Sequence, residues 1–229
     1  MTRRVLAITL AIVALAGLTG LLAFVGTTLM PHSTSSVAVV KRAGPEFAEP
    51  GAVPIGRSFE LIDHSGRSVD ASTYLGKFLL VFFGFANCPD VCPTTLGDIA
   101  QAMELLVPDS GKIQPLFISL DPERDSMAIL AEYVRAFHPA IVGLTGTAAQ
   151  IKAAAASYQV FYEKVPSESS DPSAKSGAGY QIAHQGNTYL MSPSGDYMTH
   201  FSYGTGPAEM AATVRRAEAA FNLSKRIQK

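Results

Sequence analysis

The chain predicts an α/β fold: a three-layer α/β/α sandwich with an N-terminal hairpin, preceded by one transmembrane helix. Three observations carry this. Phe78 to Phe85 and Ile113 to Leu120 are continuous apolar runs of the kind that form strands buried on both faces. Apolar residues at helical spacing follow each run. Two segments near the C-terminus then turn on Pro193-Ser194-Gly195 ahead of a last helical stretch, closing the alternation with a hairpin and a helix.

Taken in order, residues 1–30 contain Arg3 and Arg4 and no other charge. Val5 to Met30 exceeds the roughly 20 residues a spanning helix needs. Residues 1–4 are therefore expected as a cytoplasmic tip, 5–30 as a transmembrane anchor, 31–54 as a flexible linker and 55–229 as the folded domain. A cleaved signal peptide is the competing explanation, but its apolar region is usually only about 7–15 residues and ends at an Ala-x-Ala-like site, which has no convincing counterpart here. The two arginines before the span leave the N-terminus inside, so the domain is expected in the periplasm of a bacterium, held to its inner membrane. An Arg-rich mitochondrial transit peptide does not fit into the four residues before the span. The linker holds Ser33, Ser35, Ser36, Gly44, Pro45, Pro50 and Gly51 with no sustained periodicity, the composition of a spacer.

Within the domain, Phe59–Ile62 and Arg67–Val69 flank His64-Ser65-Gly66 as a hairpin. After the first buried strand, Leu96, Ile99, Ala100, Met103, Leu106 and Val107 lie on a helical stripe, and Ile129, Leu130, Val134 and Phe137 mark a second helix. A short strand, Ile141–Leu144, leads to an Ala-rich helix over 147–158, and Gln159–Val165 reads as extended. Thr188–Ser192 and Tyr197–Tyr203 form the closing hairpin. The last helix runs from Pro207, a favoured first helical residue, to Leu223.

Charged residues make up 16% of the chain against about 25% in an ordinary soluble domain. With Arg3 and Arg4 set aside, 16 basic residues face 19 acidic ones with no basic cluster, which argues against a nucleic-acid partner.

Chemistry concentrates at Cys88 and Cys92, the only two cysteines. They lie in Asn87-Cys88-Pro89-Asp90-Val91-Cys92-Pro93, where the first buried strand ends and a helix begins. Proline is tolerated at a first helical position, so the helix is expected to start at Pro93 with Cys92 near its N-cap. A helix N-terminus favours negative charge and so raises the thiolate fraction, which both redox attack and metal ligation need. Three intervening residues allow the sulfurs to close into a disulfide or to open around one metal ion, and spacing alone does not choose. A purely structural staple is a weak explanation, because so short a loop restricts the unfolded chain little.

Five histidines could complete a metal site. His32 falls in the spacer, His64 in a turn and His138 before Pro139, each read as a solvated surface residue; His200 reads as a strand-surface residue. His184 follows the polar stretch Pro166–Gly179 and precedes a closing strand, so it is expected on a mobile loop able to swing toward the thiols.

Several segments together resemble the Sco/SenC family. They are Phe83-Gly84-Phe85-Ala86-Asn87-Cys88-Pro89-Asp90-Val91-Cys92-Pro93-Thr94, Ser119-Leu120-Asp121-Pro122-Glu123-Arg124-Asp125, and His184-Gln185-Gly186-Asn187-Thr188-Tyr189-Leu190 with Pro193-Ser194-Gly195. The leader Phe59 to Arg67 and the anchor agree. The resemblance implies a thioredoxin-like fold and a metallochaperone rather than an enzyme. It implies copper, as Cu(I) or Cu(II), held by Cys88, Cys92 and His184. The implied task is assembly of the dinuclear copper site of cytochrome c oxidase subunit II, by delivering copper, reducing that subunit's cysteines, or both. Implied partners are subunit II, other periplasmic copper chaperones and the membrane. One departure is Ala183, where the family usually carries an acidic residue.

Thiolates suit Cu(I), and an added imidazole makes the same site acceptable to Cu(II). Asp121 and Asp125 are read as caps for a helix starting near Ser126, ahead of a role in partner contact or in tuning the site. The alternative function is a thiol–disulfide oxidoreductase using Cys88 and Cys92 with His184 incidental, although the chain lacks the Trp-Cys-Gly-Pro-Cys signature and any Trp. A peroxiredoxin-type peroxidase trails, since its single attacking cysteine does not require so close a pair.

Overall fold

Every side chain of the strand Phe78–Gly84 is buried, as a central strand covered on both faces requires. A computed structural model of the chain describes residues 55–56, 58–166 and 179–227. The anchor predicted over 5–30, the linker 31–54 and His32 lie outside these. Among the described residues, no helix is long and apolar enough to cross a membrane.

Nine strands and four helices are described. The main sheet runs β2 (Ser68–Asp70), β1 (Glu60–Asp63), β5 (Val142–Thr145), β4 (Ile113–Ser119), β3 (Phe78–Gly84), β8 (Thr188–Met191), β9 (Tyr197–Phe201). β3, β4 and β5 are parallel, while β8 joins β3 and β1 joins β5 antiparallel. The helices are α1 (Val91–Leu105), α2 (Met127–Arg135), α3 (Ala148–Ser157) and α4 (Pro207–Ile227).

Alternation along β3 sorts the layers. Phe78 meets Phe221 of α4, Gly84 lies under Cys92 of α1, and Phe82 reaches Tyr133 of α2 through Phe117. These three helices share one face. Phe83, on the other face, meets Tyr158 at the end of α3. The three predicted layers are present, and each fully buried Phe or Leu of β3 contributes roughly 1.5–3 kcal/mol.

Several details differ from the sequence reading. α1 starts at Val91 with Asp90 as N-cap, two residues earlier than expected. Pro93 is then the third helical residue, still within the turn whose N–H groups have no helical partner, so it costs nothing there. The helix ends at Leu105, leaving Val107 outside it and exposed, while Ile129 of α2 also faces outward. Ser126 itself caps α2, its side chain accepting from the Ile129 N–H. The caps assigned to Asp121 and Asp125 are therefore not needed.

A second ladder escaped the sequence reading. β6 (Tyr162–Pro166) and β7 (Tyr180–His184) pair antiparallel as a two-stranded sheet of their own. The extended segment expected from Gln159 begins only at Tyr162, because Gln159 adopts a positive φ of 56° after α3.

Candidate metal centre

Strand register brings the site together. Phe82 of β3 pairs with Thr188 of β8. Because the pair is antiparallel, the chain leaving β3 toward Cys88 and the chain entering β8 from His184 meet at the same sheet edge.

On the thiol side, the Cys88 N–H donates to Phe85 O at 3.2 Å, folding the loop back over the strand end. The Ala86 N–H donates to Asp125 Oδ2 at 3.0 Å, so a buried carboxylate anchors that loop. Cys92, fully buried in the first turn of α1, fits only because Gly84 has no side chain: a Cβ there would lie 2.6 Å from Cys92 Sγ. The Cys92 N–H points at Cys88 Sγ, 3.4 Å away, so the helix N-terminus faces that sulfur. Neither cysteine is in a disulfide.

The two thiols are strongly coupled. The bond from Cys92 pulls the Cys88 thiol down to about 4 against the opposing effect of burial, with His184 and the backbone N–H groups of Asp90 and Cys92 adding to the lowering. Cys92 is pushed the opposite way, as the donor in that bond and by its burial. The two sulfurs therefore titrate as a pair, with negative charge favoured on Cys88 and the proton favoured on Cys92.

His184 is the last residue of β7 rather than part of a loop. Its Nδ1 lies 2.9 Å from Gln185 O. A carbonyl only accepts, so Nδ1 carries a proton, and Nε2 is turned toward Cys92 Sγ at 3.6 Å. The rings of Phe85 and Phe82 flank the imidazole at 5.9 and 6.3 Å between centroids. The two sulfurs and the imidazole nitrogen lie within 4.8 Å of one another. Ala183 is exposed and pairs with Glu163 of β6.

Of the other histidines, His200 is exposed on β9, as expected, with its Nδ1 2.7 Å from Tyr197 Oη. His64 and His138 are not free surface groups. His64 Nδ1 accepts from the Gly143 N–H at 2.9 Å, and His138 Nδ1 accepts from the Ala140 N–H at 3.1 Å. Each ties a loop to β5 or its approach, and neither joins the thiols.

Asp121 and Asp125 are fully buried partners of the site's supporting loops. Asp125 accepts from Ser119 Oγ at 2.6 Å as well as from Ala86, and burial pushes its carboxyl upward. Asp121 accepts from Tyr180 Oη at 2.8 Å and from Arg124 Nε. Tyr180 is the residue the sequence reading missed. The alternation Tyr180-Gln181-Ile182-Ala183-His184 is the signal for its strand.

Two sulfurs and one nitrogen form a donor set for a soft or borderline metal ion, with three protein ligands where a structural zinc site usually has four. The SCO1/SenC family model matches residues 48–219. The SCO2-like protein of Rickettsia felis is 39% identical over 158 residues, covering 69% of this chain and 74% of its own. The mitochondrial SCO2 homolog of Bos taurus is 38% identical over 165 residues, covering 71% of this chain and 59% of its own. Among solved structures, the copper-bound ScoI of Arabidopsis thaliana is similar at 35% identity and a TM-score of 0.64, covering 71% of this chain and 99% of its own. The copper-bound ScoI of Bradyrhizobium japonicum is similar at 37% identity and a TM-score of 0.62, covering 71% and 98%. These neighbours share the thioredoxin-like α/β architecture, and with the family match over most of its length this chain belongs to the SCO1/SenC family.

Proposed function

We propose that this chain is a membrane-anchored copper metallochaperone on the periplasmic side of a bacterial inner membrane, serving assembly of the dinuclear copper site of cytochrome c oxidase subunit II. The single observation that carries it is the gathering of Cys88, Cys92 and His184 donor atoms within 4.8 Å. The anchor and the compartment rest on residues 1–30 alone. Copper is the cargo. Thiolates hold Cu(I), the imidazole extends the site to Cu(II), and three protein ligands leave a position open to a receiving protein's donor. BsSco, 21% identical, is a member of the Sco family of cytochrome c oxidase assembly proteins and has a disulfide switch.

A second reading is favoured by one observation, the Cys92 N–H aimed at Cys88 Sγ at 3.4 Å from a helix N-terminus, which favours negative charge on that sulfur. Cys88 as thiolate attacks a sulfur of a partner's disulfide, forming a mixed disulfide and releasing one partner thiolate. Cys92, after losing its proton, attacks Cys88 Sγ and releases the second partner thiolate. The partner gains two electrons and this chain gains a disulfide.

One experiment separates them. The reduced chain is expected to take up one copper, and His184→Ala is expected to weaken Cu(II) by more than about 100-fold, beyond what loss of an outer-shell partner costs, while Cys88 and Cys92 still reduce a disulfide at a measurable rate. Unchanged Cu(II) affinity in His184→Ala would discard the three-ligand site and leave the reductase.

A further inference from the structure

The loop from β4 to α2 grips both halves of the ligand set. On the thiol side, Asp125 Oδ2 holds the Ala86 N–H, two residues before Cys88. On the imidazole side, Asp121 Oδ1 accepts from Tyr180 Oη at 2.8 Å. Arg124 Nη1 donates to Tyr180 O at 3.1 Å, and its guanidinium lies 3.9 Å over the Tyr180 ring and 5.8 Å from that of Phe85. Arg124 Nε is bonded to Asp121, so one cation braces carboxylate, carbonyl and ring together. Ser119 links the two grips, its Oγ donating to Asp125 at 2.6 Å and accepting from the Asp121 N–H at 3.0 Å.

The geometry of β7 makes this grip consequential. β6 and β7 share no ladder with the main sheet. Tyr180 and His184 stand at opposite ends of β7, about 14 Å apart at strand rise. A brace at Tyr180 therefore fixes a lever whose far end carries Nε2. A bond from Lys164 Nζ to Glu123 Oε1 at 2.7 Å ties β6 to the same loop.

We propose that residues 119–125 form a yoke setting the reach between the Cys88 and Cys92 sulfurs and His184 Nε2, with Arg124 and Tyr180 as positioning residues, and that this yoke biases the site toward Cu(II). The inference rests on the copper reading above. Two thiolates satisfy Cu(I) without the imidazole, whereas Cu(II) needs the nitrogen donor. Loosening the lever therefore costs Cu(II) affinity and spares Cu(I).

The test uses the full chain in detergent with copper ions as the probe. Cu(I) and Cu(II) affinities are measured by chelator competition, together with the Cu(II) absorption spectrum and the copper potential. Arg124→Lys keeps a charge beside buried Asp121 but loses the fork to Tyr180 O; Tyr180→Phe keeps the ring and loses the Oη bond. Arg124→Lys is expected to weaken Cu(II) about tenfold, the scale of one charge-assisted bond, with Cu(I) unchanged. Tyr180→Phe is expected to weaken Cu(II) about threefold. A tenfold selective loss raises the copper potential by about 59 mV. Equal losses for both oxidation states, or none in a folded variant, overturn the yoke. If Arg124→Lys fails to fold, Tyr180→Phe alone decides. A wild-type chain that takes up no copper, or whose Cu(II) binding survives His184→Ala, overturns the copper reading and the yoke with it; normal wild-type uptake with unaffected yoke variants overturns the yoke alone.

Discussion

Gly84→Ala is expected to damage both the fold and the metal centre, and the size of the damage follows from one close approach. The added Cβ would lie 2.6 Å from Cys92 Sγ and 2.9 Å from Phe117 Cε2. Ordinary contact begins near 3.4 Å, so the sulfur must retreat by 0.8 Å. Cys92 cannot move by rotamer alone, since it is fully buried in the first turn of α1. The helix start must lift, and overpacking of this kind costs about 1–3 kcal/mol. Against a urea slope of about 1–3 kcal/mol/M, a loss near 2 kcal/mol lowers the unfolding midpoint by about 1 M. Gly97→Ala, in the middle of the same helix with no heavy atom within 4 Å of the new Cβ, is expected to stabilise by about 0.5–1 kcal/mol. Urea unfolding of the two metal-free variants reads the opposite signs directly. A Gly84→Ala protein as stable as wild type, with unaltered copper affinity, would refute the close packing of β3 against the Cys92 turn.

The coupled thiols predict that alkylation of metal-free Cys88 by iodoacetamide has already reached its plateau rate by about pH 6, because its thiol is held down to about 4. In Cys92→Ala, which removes the side-chain donor, the profile is expected to move toward higher pH; a wild-type rate still climbing through pH 8 would contradict the coupling of the two thiols. Asp63 gives an acid-stability prediction. Burial alone would raise its carboxyl, but donors on Ser65 and Arg67 outweigh it and bring it to about 2. A depressed folded value means its stabilisation is complete above the ordinary value of 3.8 and is lost as pH falls toward 2. Arg67 is largely exposed, so solvent screening reduces the gain to about 1–2 kcal/mol. Asp63→Asn should flatten the stability–pH curve between about pH 5 and 2 in chemical denaturation, and a variant curve parallel to wild type would count against this.

Strands covered on both faces were readable from composition, because Phe78–Gly84 and Ile113–Ser119 need apolar side chains at every position. The thiol pair was readable for a similar reason, since Pro93 marks the neighbourhood of a helix start to within two residues. The hairpin β6/β7 was not, because residues 167–178 between its strands are polar and drew Tyr180–His184 into the same apparent loop. β6 also carries exposed Glu163, Lys164 and Pro166, three of its five residues, so it lacks the apolar pattern of a core strand. Buried carboxylates were misread for a further reason. Asp121 and Asp125 stand just before a helix, where capping is the usual local use of an aspartate, and their partners Tyr180 and Ala86 lie far away in the sequence.

Why His184 meets the thiols at all is a matter of pairing rather than of local pattern. Nothing in residues 184–192 states that β8 pairs with β3 instead of extending the sheet beyond β5. Only the ladder Phe82↔Thr188, with its antiparallel sense, puts the exit of one strand beside the entrance of the other. A parallel pairing of the same strands would place His184 at the opposite sheet edge from Cys88. The donor set is thus a product of topology first and of the supporting loop second. Register decides that sulfur and imidazole share an edge, and the bonds from Asp121, Arg124 and Asp125 hold the two segments that carry them. A short motif can advertise the two thiols, whereas the third donor exists as such only in the assembled sheet.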